Sequence, residues 1–272
     1  MSELVLSRKK SRLFRELNTI FTIMAREITI FFRSPSTAIM SLAMPIVFMG
    51  MIGGNLMQNM AAGLDFQFGH FMLVGMLVNM LFMFTTMGMT SLVDDHDIDF
   101  NQEMLVSPVS RYSIVIGKIL GSGFAAIMSM IGTLIVAVIM GIMIPAGKLL
   151  LILALSPLMC LSGGALAMII IGLIKSKRAA NLAVMLIVMP QMFLSGAIIP
   201  INNSSGALLV LNRIMPMTYC LDLARAVVYR GGPEYDSVVM FNPVINFTAI
   251  AVLTIAFLVL GTYLFARSEK NR

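Results

Sequence analysis

The sequence predicts an all-α integral membrane protein: six transmembrane helices preceded by an amphipathic interfacial helix. Three observations carry this. First, 58% of the 272 residues are hydrophobic and only 12% are charged, with a mean hydropathy of +0.93. A soluble domain carries about 25% charged residues and could not cover its surface with so few. Second, six stretches contain no Asp, Glu, Lys, Arg or His, at 34–64, 71–93, 119–147, 149–174, 179–212 and 237–266. Each exceeds the roughly 20 residues that a helix needs to cross about 30 Å of hydrocarbon. Backbone amides cannot stay unpaired in lipid, so such runs must be helical; a barrel would show alternating strands of about ten residues. Third, the charges between the runs are one-sided. With the N-terminus inside, fifteen of the nineteen Lys and Arg fall on the inner side, leaving Lys148, Arg213, Arg225 and Arg230 outside. The positive-inside rule then expects both termini in the cytoplasm. The net charge of +6 is a topology signal, and no nucleic-acid partner is expected.

These boundaries divide the chain into a cytoplasmic tail with the surface helix (1–33), a six-span domain (34–266) and a short cytoplasmic tail (267–272). The first apolar run is too long for a signal-peptide core and lacks a cleavage site, so the chain is expected to enter the membrane uncleaved. In residues 13–33, Leu13, Leu17, Ile20, Phe21, Met24, Ile28 and Phe31 form one stripe at helical spacing. Arg15, Arg26 and Arg33 project from the opposite face as interfacial anchors, the pattern of a helix lying in the inner membrane surface. Ser34-Pro35 supplies a cap and a first-turn proline where the first span begins.

Within the spans, Gly117, Gly121, Ser122 and Ser162-Gly163-Gly164 provide small surfaces for close helix approach, within one chain or across a dimer seam. The 27 Met residues are lipid-facing filler or an adaptable wall for varied apolar ligands. Cys160 and Cys220 read as small hydrophobes without a disulfide framework. The fifth span is the least regular, with Pro190 mid-span, Phe193 and Ser195-Gly196 following, and Pro200 where the helix should end. Proline removes a helix hydrogen bond, and lipid tolerates the freed carbonyls only beside neighbours that satisfy them. These five residues mark either a structural kink or a broken helix facing a translocation path and its gate. Residues 201–236 are expected to form an outer re-entrant or surface hairpin, too interrupted by charge to span again.

Several chemistries are excluded. Gly117-Lys118 is followed by Ile119, with Tyr112 where a phosphate loop needs glycine. Asp95, Asp97 and Asp99 have calcium-loop spacing, but Phe100 and Val106 stand where Gly and Glu are required. Only His70 and His96 are present, so no paired nucleophile and base, and no metal site, is expected. No acidic residue lies within an expected span, which argues against a proton relay. The chain is expected to bind no cofactor itself.

Five segments in order resemble a known family. RSPS (33–36) is followed by MPIVF (44–48) in the first span, then by EMLVSPVSRYSIVIGKIL (103–120), FLSGAIIPI (193–201) and MPMTYCLDLARAVVY (215–229). Their order and spacing, over roughly residues 13–266, resemble the membrane subunits of type-2 ABC transporters, especially drug-export permeases of the daunorubicin-resistance kind. The resemblance implies a half-transporter in a bacterial or archaeal plasma or inner membrane. It implies a second permease copy, identical or not, and two separate ATPase subunits that carry ATP and magnesium. It also implies a coupling helix in the first cytoplasmic loop, 94–111. Glu103, Met104 and Leu105 suit a helical turn offering one charge and two apolar contacts, Ser107-Pro108 ends that turn, and Arg111 and Lys118 anchor it. Lys175–Arg178 is a second contact or a topology signal only. The function implied is export of hydrophobic or amphiphilic compounds such as drugs, antibiotics or lipids. Alternatives are export of a lipid-linked polysaccharide, disfavoured by the absence of Trp and only five Tyr, and a non-transporting immunity or scaffold protein.

Overall fold

The computed structural model describes residues 2–60, 66–93, 110–174, 176–201 and 204–270, and every regular element among them is helical. The surface helix is α1 (Ser2–Arg33). The first span joins α2 (Pro35–Pro45), a π-helical stretch (Ile46–Gly53) and α3 (Gly54–Met60). Then come α4 (Phe68–Gly88), α5 (Arg111–Ile139), α6 (Ala146–Leu173) and α7 (Lys177–Leu194). Two short helices, α8 (Gly206–Ile214) and α9 (Pro216–Val228), are bent by 80° at their junction. A four-residue turn, α10 (Tyr235–Val238), precedes α11 (Pro243–Lys270).

Five stretches are long and apolar enough to cross a membrane: Pro35–Asn59, Phe68–Val93, Arg111–Ile139, Ala146–Leu173 and Tyr235–Arg267. The bent pair α8–α9 would make a sixth if it counts as one span, and α7 is a shorter apolar helix. The fifth span, expected to be irregular and to end at Pro200, stops as a helix at Leu194, after 18 residues and about 27 Å of rise. The chain then continues through a non-helical segment into α8 and α9. The stop is local chemistry: Ser195 N–H closes on Gln191 O at 2.8 Å, and Gly196 follows at φ +85°, a left-handed geometry that ends helices.

A helix that is apolar all round belongs inside a bundle, and α4 holds that place. Phe71, Met72, Leu73, Val74, Met76, Leu77, Val78, Met80, Leu81 and Phe82 are all essentially inaccessible. Lipid supplies no hydrophobic drive between helices, so close packing at small residues must hold them. The small residues expected to do this work within the chain. Gly88 of α4 meets Ser122 of α5, Gly123 of α5 meets Cys160 of α6, and Gly164 of α6 meets Ile119 of α5. Thr86 Oγ1 donates to Phe82 O at 2.6 Å and lies 3.2 Å from Gly163 O, so a short α4 side chain reaches the α6 backbone. Gly172 of α6 and Gly261 of α11 face each other, where an added Cβ would lie 2.8 Å from Leu264 Cβ or 2.7 Å from Met168 Cβ. In the first span, Pro45 is buried against Gly132 of α5. The helix loosens to a π ladder directly after it, because proline removes one backbone donor.

The surface helix has three faces, where the sequence predicted two. Ile23 and Phe31 are buried against α5, with Gly117 under Ile20 and Ile23, Gly121 under Met24 and Glu27, and Phe124 beside Phe31 at 5.5 Å between ring centroids. Leu13, Phe14, Leu17, Phe21 and Phe32 remain open as an apolar face, while Arg15 and Arg33 are exposed on the polar one. Contacts advance in the same order along both helices, so α1 runs beside the first half of α5. The α5 start, the α6 end and the α11 C-terminal half lie at one end of the bundle, which carries most of the basic residues; following the positive-inside expectation, it is labelled the inner end and the opposite one the outer end.

Replacing Gly172 by Val should force α6 and α11 apart and cost about 1–3 kcal/mol, the usual penalty of overpacking. The check is a thermal melt in detergent beside Gly147→Ala, a position with no atom within 4 Å of an added Cβ. Equal melting of the two variants would contradict this packing.

Candidate functional site

At the outer end the chain breaks its fifth helix inside the bundle and must satisfy the backbone groups this frees. The break, residues 195–201, is built from Ser195, Gly196, Ala197 and Ile198, all buried, and it crosses α4 at Gly75. A Cβ at Gly75 would stand only 1.9 Å from Ala197 O, so the crossing exists only because α4 has a glycine there. Asn212 of α8, 2% exposed, turns its amide to the carbonyls of Leu194 (2.7 Å) and Leu208 (2.9 Å) and accepts from Ser204 Oγ at 2.9 Å. Thr218 Oγ1 in turn donates to Asn212 O at 2.7 Å, which fixes the bend between α8 and α9.

The other partner is Arg225 of α9, also 2% exposed. Its guanidinium donates to Gly196 O and lies 3.6 Å above the centre of the Phe71 ring of α4. One helical turn earlier, buried Asp222 engages a different element. Its carboxylate accepts from Met240 N (2.8 Å), Phe241 N (2.9 Å) and Asn246 Nδ2 (2.7 Å), at the entry to α11. Each charge lies in the other's field. Thus α9 holds one cation on the broken helix and one anion on the last span, and the pair is neutral within the bundle. Such charges are tolerated in a low-dielectric interior only when paired and hydrogen-bonded.

Around this clasp, several buried polar atoms have no partner among the described residues. Gln191 is fully buried with both amide atoms unpaired, and Ser195 Oγ and Asn79 Oδ1 are likewise unpaired. Asn79 Nδ2 reaches only Met217 Sδ, at 4.0 Å. An orphaned buried polar group costs about 1–3 kcal/mol, and a cluster of them is the usual mark of a segment with another conformation or occupant.

The inner end carries a second polar arrangement. Lys118 of α5 is 2% exposed and donates to Glu27 Oε1 of α1 at 2.8 Å, and Arg26 approaches the same oxygen at 3.3 Å. Three turns earlier on α1, Glu16 accepts from Ser110 N at 3.0 Å, and Ser110 Oγ caps the start of α5. Beside Glu27 lies a mostly apolar pocket of about 400 Å³ between α1, α2, α4 and α5, lined by Phe31, Met40, Phe84 and Met87 among others.

The expected site residues divide accordingly. Ser195 and Gly196 lie in the buried break; Pro190 is on the exposed side of α7, Phe193 is half exposed, and Pro200 is partly buried outside any helix. Glu103, Met104, Leu105, Ser107 and Pro108 lie outside the described residues. Arg111 opens α5, whereas Lys118 is turned inward to α1. Asp222, Arg225, Asn212 and Gln191 were not singled out from sequence. The signal was available in the Asp-x-x-Arg spacing of 222–225 within an otherwise apolar stretch, which puts both charges on one helix face.

The sequence profile of the ABC-2 type transporter family matches residues 18–229 of the chain. With well over half its length matched, the chain belongs to the ABC-2 type transporter membrane family. It is a multi-pass permease component of an ABC transporter, a class that generally has no ATPase site of its own and associates with an ABC ATPase subunit. Curated protein sequences give no match.

Asp222→Asn and Arg225→Met should each strand a buried charge, costing about 3–5 kcal/mol and on the order of 10 °C in melting temperature. The double variant should recover part of that loss, because neither charge is then uncompensated. Strictly additive losses in thermal melts would contradict the pairing.

Proposed function

We propose that this permease exports hydrophobic or amphiphilic compounds, with its outer gate formed by the 195–201 break and closed by Arg225. The observation that carries the reading is the buried Gln191–Ser195 polar cluster beneath a helix break held by two side chains, Asn212 and Arg225. A closed state that strands polar groups is poised to open, since opening returns them to water. Energy arrives by contact at the inner end. Two separate ATPase subunits, carrying ATP and magnesium, engage Glu103–Arg111, and the push passes into α5. The Glu16–Ser110 and Glu27–Lys118 contacts tie the start of α5 to α1, so the two helices respond together. A second permease copy, identical or homologous, completes the path. The protein works in a bacterial or archaeal plasma membrane with both termini in the cytoplasm.

The test separates gate from coupling. Trp at Ser195 and at Gly196 should abolish transport in vesicles while the ATPase still co-purifies. The triple change Glu103→Lys, Met104→Ala, Leu105→Ala should insert normally but weaken ATPase co-purification, since such contacts are worth on the order of 2 kcal/mol. Wild-type transport with both tryptophans would remove the gating role. Normal transport by the triple variant would move the coupling site elsewhere, with Lys175–Arg178 next to test.

A further inference from the structure

A pocket of about 310 Å³ opens at the outer end of the bundle, where the residues before α4, the α5–α6 turn and the α9–α10 turn meet. Two opposite charges line it, Lys148 at the start of α6 and Glu234 before α10. They are not an ion pair with each other. Lys148 Nζ donates to the backbone carbonyl of Val228, and Glu234 Oε1 accepts the backbone N–H of Gln67 at 3.2 Å. Each charge is therefore positioned by main chain from a different element, and both face one space. His70 is held similarly, its Nε2 2.9 Å from Met143 O. Between them Tyr229 lines the pocket, 6% exposed, and its hydroxyl has no hydrogen-bond partner among the described residues. Tyr229 lies in the fields of both Arg225 and Glu234.

An unpaired cation and anion fixed across a small cavity would ordinarily collapse onto each other if that were their purpose. Held apart, they complement a molecule carrying both signs a few ångströms apart. Lys148 retains two N–H donors for an anionic oxygen, Glu234 Oε2 suits a cation with N–H groups, and the Tyr229 hydroxyl adds one donor for the anion. We infer that this pocket binds a zwitterionic phosphoethanolamine group, phosphate toward Lys148 and Tyr229 and primary ammonium toward Glu234. Its place on the loops at the outer end of a membrane bundle matches the depth of lipid headgroups, so the headgroup of a phosphatidylethanolamine molecule is the occupant the geometry points to. This goes beyond the export reading and does not depend on it.

The test uses the full-length chain in detergent, offered equal amounts of phosphatidylethanolamine, phosphatidylglycerol and phosphatidylcholine, with retained lipid read by native mass spectrometry. Phosphatidylglycerol lacks the ammonium, and the quaternary nitrogen of phosphatidylcholine has no N–H for Glu234. Retention of phosphatidylethanolamine about tenfold over both is expected, with that preference lost in Lys148→Gln and Glu234→Gln and reduced a few-fold in Tyr229→Phe. A thermal shift with soluble glycerophosphoethanolamine separates the two sources of the group. Protection by it would support the site through the headgroup alone, whereas lipid retention without it would support binding from the membrane. Equal retention of the three lipids by the unaltered protein, which needs no variant to fold, would overturn the inference. So would an unchanged preference in a folded Lys148→Gln/Glu234→Gln double variant.

Discussion

The hydrogen bond from the Arg225 guanidinium to Gly196 O is the contact on which the outer half of the molecule depends. A helix that ends inside a bundle exposes carbonyls to a medium that cannot hydrate them, at several kcal/mol each. The chain answers with Asn212 on the last carbonyl of α7 and Arg225 on Gly196, two residues beyond it. Both donors come from the α8–α9 pair, so the bent pair and the break stabilise each other. Gly75 belongs to the same arrangement, because any side chain there would push Ala197 off α4 and carry Gly196 away from Arg225. Asp222 extends the arrangement to the last span, where its carboxylate gathers two backbone donors and Asn246 at the turn into α11. Four elements thus meet through one pair of charges.

The inner end uses the opposite strategy. There the helices are long and intact, and charge serves to join a surface helix to a span. Gly117 and Gly121 remove side chains from the α5 face so that α1 can lie close, and Lys118 between them finds Glu27. A glycine pair four residues apart is a familiar close-approach device in membranes. Here a lysine stands inside it, and its ammonium is neutralised by the helix that the glycines admit. A rigid joint at the inner end and a break held by side chains at the outer end give a bundle whose ends differ in the free energy needed to move them. Intact, closely packed helices shift as units, while a non-helical segment held by few hydrogen bonds opens locally.

Much of the fold was legible in the sequence, because lipid leaves few choices. Charge-free runs, the Ser34-Pro35 start and the basic asymmetry gave the spans and expected orientation, and the glycine clusters gave the close contacts. The fifth span was flagged correctly as irregular at Ser195-Gly196. Its helix was expected to run on to Pro200, because a charge-free run reports solvent and not hydrogen bonding, and 195–200 stays apolar while leaving the helix. The amphipathic stripe of α1 read as two-faced, since periodicity cannot tell an apolar side that meets lipid from one that meets a neighbouring helix. Arg225 was counted among outer basic residues, as the charge rule treats any Arg between spans. Its burial follows from α9 folding back into the bundle, a long-range event that no local pattern encodes. For the same reason Lys148 and Glu234, 86 positions apart in sequence, gave no sign of sharing a pocket.

The central claim is that the 195–201 segment is closed at rest and opens outward when the assembled transporter turns over. The most direct measurement places one cysteine at Ala197, fully buried against Gly75 of α4, in a chain whose Cys160 and Cys220 are replaced by Ala. A membrane-impermeant thiol reagent is then applied from outside to the transporter in vesicles, with and without ATP hydrolysis. Protection at rest and labelling at least tenfold faster during turnover are the predicted result. Equal labelling in the two conditions, whether fast or absent, would contradict the account.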